Sequence, residues 1–110
     1  MEQRAWATEA YEALTRGRSV QVRPNGHSMK GRIEDGDLVT MEPCRAEDLA
    51  VGDVVLARVR GFLLVLHQIL DREPGRFLIG TTAGRADGWV PADQVFGRVA
   101  KVESLNEPEA

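Results

Sequence analysis

The segment GDVVLARVRGFLLVLHQIL, residues 52–70, decides the fold, because two apolar runs within it flank the dipeptide Arg60-Gly61. Short runs rich in branched apolar residues and bounded by turn residues are typical of β-strands. Glycine adopts the positive φ of a tight turn without steric cost, so Gly61 can reverse the chain between the runs. The segment therefore predicts an antiparallel hairpin made of residues 54–59 and 62–70.

The rest of the sequence predicts one helix followed by further short strands. Residues 2–16 contain good helix formers, and Trp6, Ala10 and Leu14 recur at four-residue steps, which favours a short amphipathic helix. Strand-forming runs then alternate with Gly, Pro and Asp at residues 20–22, 37–41, 77–80 and 95–102. These patterns divide the chain into an N-terminal helix (1–17), a β domain (18–103) and a polar tail (104–110).

The composition limits the classes of function. The chain of 110 residues suffices for one domain, and 43% hydrophobic with 28% charged residues is typical of a soluble globular protein. Nucleic-acid phosphates are held by clustered Lys and Arg. A formal net charge of −3 gives no sign of such a cluster, so nucleic-acid binding is not expected.

Cysteine usage and hydropathy predict a cytoplasmic protein without a cofactor. Cys44 is the only cysteine, which excludes an intrachain disulfide and a cysteine-based zinc cluster. The His, Asp and Glu residues show no metal-ligand spacing, so neither a metal nor another cofactor is expected. The longest uncharged apolar run, residues 61–66, is far shorter than the roughly 20 residues that span a bilayer, so no membrane anchor is expected.

The segment GHSMKGRIEDGD, residues 26–37, raises the question whether Ser28 is a nucleophile. A serine hydroxyl needs a nearby base to take its proton. His27 would point away from Ser28 in an extended segment, and Lys30 is a poor base unless it is buried. His67 lies in an apolar run, where a neutral imidazole could accept the proton. A serine in an ordinary turn and a core histidine bonded to a backbone carbonyl are the simpler interpretations.

A carboxylate that orients the imidazole would complete a catalytic triad. Asp87 is the preferred candidate because it is expected in a loop, although an Asp-Gly pair such as Asp87-Gly88 is more often a plain turn. Asp93 is expected to cap a helical turn. Trp89 either lines a substrate groove or anchors the packing of the domain.

Several motifs occur in an order that resembles one group of serine peptidases. They are Gly26-x-Ser28-Met29-Lys30, Ile33-x-Asp35-Gly36-Asp37-Leu38-Val39, Gly52-Asp53-Val54-Val55 with Ala57-Arg58, His67 followed by Ile69, and Phe96-Gly97-Arg98-Val99. Together they cover roughly residues 18–102 and resemble the family that includes the LexA-type repressors and type I signal peptidases. The resemblance implies a mainly antiparallel β domain, curved into one or two small sheets, with a short N-terminal helix.

The resemblance also implies roles for individual residues. Ser28 matches the nucleophile of the family, and His67 matches the base as it occurs in the eukaryotic and archaeal signal peptidases. The histidine enzymes take their acid from a Gly-Asp-Asn segment, whereas here Gly80 is followed by Thr81. Asp87 is therefore expected to replace the missing acid.

The resemblance predicts a soluble serine endopeptidase that hydrolyses peptide bonds through an acyl-enzyme. Gly26 and Met29 are expected to border the substrate and the oxyanion, and a peptide or protein substrate is expected to bind as an added strand along a sheet edge. The sequence shows neither the membrane anchors of signal peptidases nor the DNA-binding helices of the repressors, so neither of those activities is expected. The alternative is a catalytically inactive module that binds a peptide or protein, and a homodimer is compatible with both.

Overall fold

The computed structural model describes residues 5–104. Helix α1 spans Ala5–Thr15, and the chain leaves it through Gly17, whose φ is +78°. Residues 1–4 of the predicted helical segment and residues 105–110 of the predicted tail lie outside the described part. Seven strands follow the helix: β1 (Val20–Val22), β2 (Leu38–Glu42), β3 (Val54–Val59), β4 (Leu63–Glu73), β5 (Arg76–Gly80), β6 (Ala86–Pro91) and β7 (Val95–Glu103).

The seven strands form one open sheet in the order β1-β2-β7-β3-β4-β5-β6. Every neighbouring pair is antiparallel, which confirms the prediction of a mainly antiparallel β domain with a short N-terminal helix. Strand β7 lies between β2 and β3 and so joins the first two strands to the central hairpin. The sequence patterns did not predict β6, and the placement of Asp87 in a loop is wrong because this residue belongs to that strand.

The predicted central hairpin is confirmed. Strands β3 and β4 pair from Val54 opposite Gln68 to Val59 opposite Leu63. Three residues lie between the strands, and the first two have positive φ, +56° for Arg60 and +80° for Gly61. Two successive positive φ values are typical of a type I′ turn, whose twist matches that of the flanking strands. The sequence predicts the positive φ of Gly61, and the structure shows that Arg60 has a left-handed conformation as well.

Strand β3 is buried on both faces and separates two apolar clusters. Because successive side chains of a strand point to opposite faces, Val54 and Leu56 join one cluster while Val55 and Ala57 join the other. The first cluster also contains buried residues of α1, β1, β2 and the segment of residues 26–37, here named the Ser28 loop. The loop is thus anchored in the core beneath the helix.

Helix α1 packs closely on the sheet at Gly97. A Cβ at this position would lie 2.7 Å from Leu14 Cδ2 on α1 and 2.8 Å from the carbonyl oxygen of Glu42 on β2, so a glycine is needed for the close approach. The Tyr11 ring meets the Phe96 ring edge-on at 4.8 Å between centroids. The Arg58 guanidinium lies 4.9 Å from the centroid of Tyr11. These contacts fix the position of the helix relative to the sheet.

In the described part of the chain, no helix is long and apolar enough to cross a membrane.

Two similar turns precede β2 and β3. In each, an aspartate N–H donates to the carbonyl three residues earlier, and its carboxylate accepts from the N–H of that same residue. These bonds join Asp37 to Glu34 at 3.0 and 2.8 Å, and Asp53 to Ala50 at 3.0 and 2.9 Å. The glycine before each aspartate has φ of +89° or +98°. The first of these turns fixes the end of the Ser28 loop.

Candidate functional site

A cleft of about 210 Å³ is lined by Gly26, Ser28, Met29 and His67, four of the five residues to which the resemblance gives a role. Its walls come from α1, the Ser28 loop with the residues just before it, and β4. The lining residues are Trp6, Pro24, Asn25, Gly26, His27, Ser28, Met29, Ile33, Glu34, Leu66 and His67. Asp87 does not line the cleft but contacts His67.

The Ser28 loop is coiled rather than extended around the serine. The N–H of Lys30 donates to the carbonyl of His27 at 3.2 Å, and the N–H of Ile33 donates to that of Met29 at 2.8 Å. The prediction that His27 points away from Ser28 assumed an extended segment, and this assumption is wrong. His27 is exposed and lines the same cleft as Ser28, so it is a second histidine near the serine.

Carboxylates of the Ser28 loop hold its backbone in place. The Gly26 N–H donates to Asp35 Oδ1 at 2.7 Å, and the Gly31 N–H donates to Glu34 Oε2 at 2.8 Å. Gly26 borders the cleft, but its N–H is already bonded to Asp35 and is therefore not available as a donor to an oxyanion. Within residues 5–104, the N–H groups of Ser28 and Met29 have no acceptor, so these two adjacent amides remain available.

His67 is buried, with 8% of its surface exposed, and its partner is a carboxylate rather than a backbone carbonyl. Its Nδ1 lies 2.6 Å from Asp87 Oδ2, and the two side chains are 10% and 17% exposed. A carboxylate accepts hydrogen bonds, so the imidazole tautomer that fits this contact donates from Nδ1. The lone pair of Nε2 is then free to accept a proton.

A β-bulge brings Asp87 into contact with His67. Strand β5 lies between their strands, and it pairs Ile79 with Gly88 and Gly80 with Ala86, which leaves Asp87 as the extra residue. A bulge changes the direction of the side chain it carries. Strand β5 ends at Gly80, where a Cβ would lie 2.7 Å from the carbonyl oxygen of Arg85, so a glycine is needed beside the start of β6.

Thr82 ties the turn after β5 to the Ser28 loop, a role that sequence reasoning missed. Its N–H donates to the carbonyl of Ser28 at 3.2 Å, and its Oγ1 donates to the carbonyl of Lys30 at 3.0 Å. Nothing in the dipeptide Thr81-Thr82 indicates these contacts, because the partner residues are more than 50 positions away in the chain. Thr82 therefore links the strand segment that carries Asp87 to the serine.

Thr82→Val should lower the free energy of unfolding by about 1 kcal/mol, because it removes the Oγ1 hydrogen bond and keeps the shape of the side chain. Urea unfolding followed by circular dichroism measures the change. Thr8→Val is the matched control, since Thr8 is exposed on α1 and its side chain makes no hydrogen bond within residues 5–104. Equal stability of the two variants would show that the Thr82 bond does not hold the loop.

Two other candidates from the sequence lie elsewhere. The Trp89 ring packs under the Arg76 guanidinium at 4.4 Å and does not line the cleft, so the packing interpretation fits and the groove interpretation does not. Asp93 lies within the 3₁₀ turn Ala92–Gln94, whose N-cap is Pro91, so the prediction that it caps this turn is wrong.

Cys44 is a poor rival to Ser28 as a nucleophile. Burial raises the pKa of its thiol, an effect that outweighs the lowering by the positive charge of Arg98. The reactive thiolate is therefore scarce at neutral pH.

The described residues also contain no group of His, Cys, Asp and Glu that could hold a metal ion.

The site thus combines an exposed serine, a buried histidine and a carboxylate bonded to that histidine. No protein-family model and no curated protein matches the sequence.

Proposed function

We propose that the chain is a serine endopeptidase that uses Ser28 as nucleophile, His67 as general base and Asp87 as the group that orients the imidazole. The observation that supports it most is the 2.6 Å contact between His67 Nδ1 and Asp87 Oδ2, at the wall of a cleft that Ser28 also lines. Hydrolases with a catalytic triad also combine a serine with a histidine that a carboxylate orients. The order of motifs that resembles the LexA-type and signal peptidase family supports the same assignment.

The reaction would proceed by acyl transfer. Ser28 Oγ attacks the carbonyl carbon of a peptide bond while its proton passes to His67 Nε2. The C–N bond then breaks, and His67 returns that proton to the leaving amine. A water molecule attacks the resulting ester, gives a proton to His67 and releases the carboxylic acid, after which the proton returns to Ser28 Oγ. Asp87 stabilises the imidazolium formed in each step.

Ser28 is exposed in the cleft that His67 also lines, and within residues 5–104 its hydroxyl makes no hydrogen bond, either to His67 or to another protein group. Catalytic hydrogen bonds often shorten only when substrate is bound, so a direct Ser28–His67 bond is not required at this stage. The available N–H groups of Ser28 and Met29 provide two donors for the oxyanion.

Covalent labelling tests the proposal directly. The chain has three serines, and Ser19 and Ser104 are both exposed, so they serve as internal controls for unspecific reaction. A fluorophosphonate should add once per chain, and peptide mapping by mass spectrometry should locate the adduct on Ser28. No adduct, or an adduct spread evenly over the three serines, would contradict the peptidase assignment and favour the inactive peptide-binding module.

A further inference from the structure

Asn25 and Gly26 form a dipeptide whose chemistry the proposed function does not use. Asparagine is most prone to spontaneous deamidation where glycine follows it, because glycine has no side chain that hinders ring closure. The chain has two asparagines, and only Asn25 precedes a glycine. Asn25 is exposed and lines the cleft, so water has access to its side chain.

Deamidation at this position starts with loss of the proton on the Gly26 nitrogen. The nitrogen then attacks Cγ of Asn25, the C–N bond of the side-chain amide breaks, and ammonia leaves with the proton. Water opens the resulting cyclic succinimide at either carbonyl carbon, which gives aspartate or isoaspartate. Water is the only co-reactant, so the reaction needs no enzyme, oxidant or reductant.

The proton that this reaction removes is held by a carboxylate. The Gly26 N–H donates to Asp35 Oδ1 at 2.7 Å, a distance typical of hydrogen bonds to a charged acceptor. An anion on the Gly26 nitrogen would lose this hydrogen bond and would lie beside a like charge. Both effects disfavour the anion, so the reactive form of the nitrogen is scarcer than in a free peptide.

The contact between Asp35 and Gly26 is supported on both sides. Pro24, two residues before Gly26, is buried. Arg23 Nη1 donates to the carbonyl of Gly36, the residue after Asp35, at 2.7 Å. This second hydrogen bond joins the two segments that carry the donor and the acceptor, and it holds the carboxylate close to the Gly26 N–H.

We propose that Asn25 is a site of spontaneous deamidation in the wall of the cleft, and that the carboxylate of Asp35 suppresses the reaction by holding the Gly26 N–H. The reaction is independent of the proposed peptidase activity, because it requires only the dipeptide and water. Either product replaces a neutral amide in the cleft with a carboxylate, and isoaspartate also lengthens the backbone shortly before Ser28. Asp35 therefore protects both the charge and the shape of the cleft.

Ageing of the purified protein at physiological pH and temperature tests the proposal. Peptide mapping by mass spectrometry measures the exchange of NH₂ for OH at Asn25, and chromatography separates aspartate from isoaspartate. The reference is the acetylated, amidated peptide Arg-Pro-Asn-Gly-His, which has the sequence of residues 23–27. Folded wild-type protein should deamidate about tenfold more slowly than this peptide, since a nearby like charge changes an ionisation equilibrium by at least that factor. Protein aged in concentrated guanidinium chloride should react as fast as the peptide aged in the same solution.

Substitution of Asp35 separates its effect from that of the loop as a whole. Asp35→Asn keeps an oxygen that can accept the Gly26 N–H but removes the charge, so Asn25 should deamidate about tenfold faster than in the wild type. Asp35→Ala should react at least as fast as Asp35→Asn. Glu34→Gln is the matched control, because Glu34 belongs to the same loop and also accepts a backbone N–H, that of Gly31 at 2.8 Å. This control should keep the wild-type rate.

Three results would overturn the proposal. The first is an equal rate in the wild type and in folded Asp35→Asn. The second is an equal acceleration in Asp35→Asn and Glu34→Gln, which would assign the protection to the order of the whole loop. The third is a folded wild type that deamidates as fast as the denatured protein, and this comparison decides the matter even if the Asp35 variants do not fold.

Discussion

Replacing His67 with alanine should lower the rate of peptide hydrolysis by about three orders of magnitude, because Ser28 then has no base to take its proton. General acid–base catalysis contributes roughly 10²–10⁴-fold to such reactions. Among the contacts within residues 5–104, only His67 of the two histidines meets a carboxylate, through the 2.6 Å contact of its Nδ1 with Asp87 Oδ2. The measurement is kcat/KM for a fluorogenic peptide under conditions in which the variant is shown by circular dichroism to be folded.

His27→Ala is the matched control for this prediction. The chain has two histidines, and both line the cleft, but His27 is exposed and makes no hydrogen bond with a carboxylate within residues 5–104. The control should retain kcat/KM within about threefold of the wild type. A large loss in His27→Ala together with a small one in His67→Ala would transfer the role of base to His27.

Asp87→Asn should lower kcat/KM by two to four orders of magnitude while changing the stability much less. Asparagine can offer its N–H₂ to the imidazole, which favours the tautomer with the proton on Nε2 and leaves no lone pair there for the proton of Ser28. The loss of negative charge also removes the stabilisation of the imidazolium. In a Ser-His-Asp enzyme the corresponding change costs about 10⁴-fold in kcat, which sets the upper end of the expectation.

Asp93→Asn serves as the control for Asp87→Asn. Asp93 is exposed in the 3₁₀ turn before β7, and its carboxylate makes no hydrogen bond within residues 5–104. The readout is kcat/KM together with the midpoint of urea unfolding for both variants. If Asp87→Asn were as active as Asp93→Asn, the carboxylate would have only a structural role and the site would work as a dyad.

Much of the fold could be predicted from local sequence patterns. The hairpin of β3 and β4 followed from two apolar runs and Gly61, because strand propensity and turn chemistry are properties of neighbouring residues. Strand β6 was missed because the segment Ala86–Pro91 contains Asp87, Gly88 and a terminal proline, which are typical of turns. Its place as an edge strand next to β5 depends on pairing with a partner, and the propensity of the segment alone does not show this.

Individual residues of the candidate site could be predicted from the sequence, but the contacts between them could not, because those contacts join residues that are distant in the chain. Ser28 and His67 were singled out because a serine after a turn and a polar residue in an apolar run stand out in the sequence. The contact of Asp87 with His67 depends on a register shift between β5 and β6, and the contacts of Thr82 join segments more than 50 residues apart. Neither the register nor the distant contacts leave a local signal. The sequence pattern places Trp6 on the apolar face of a helix and gives no sign that this residue also lines the cleft.

Because Asp87 lies at a bulge, the contact of its carboxylate with His67 can be lost without a change in the core of the fold. Because side chains alternate along a strand, the loss of a single residue at the bulge would restore regular pairing with β5 while removing the acid from the imidazole. The carboxylate belongs to neither apolar cluster, so the core would be left intact. A change of one residue in the length of this edge strand could therefore remove or restore the acid of the proposed triad while the interior stays the same. Under the proposed function, such a change would separate an active peptidase from a protein that only binds peptides.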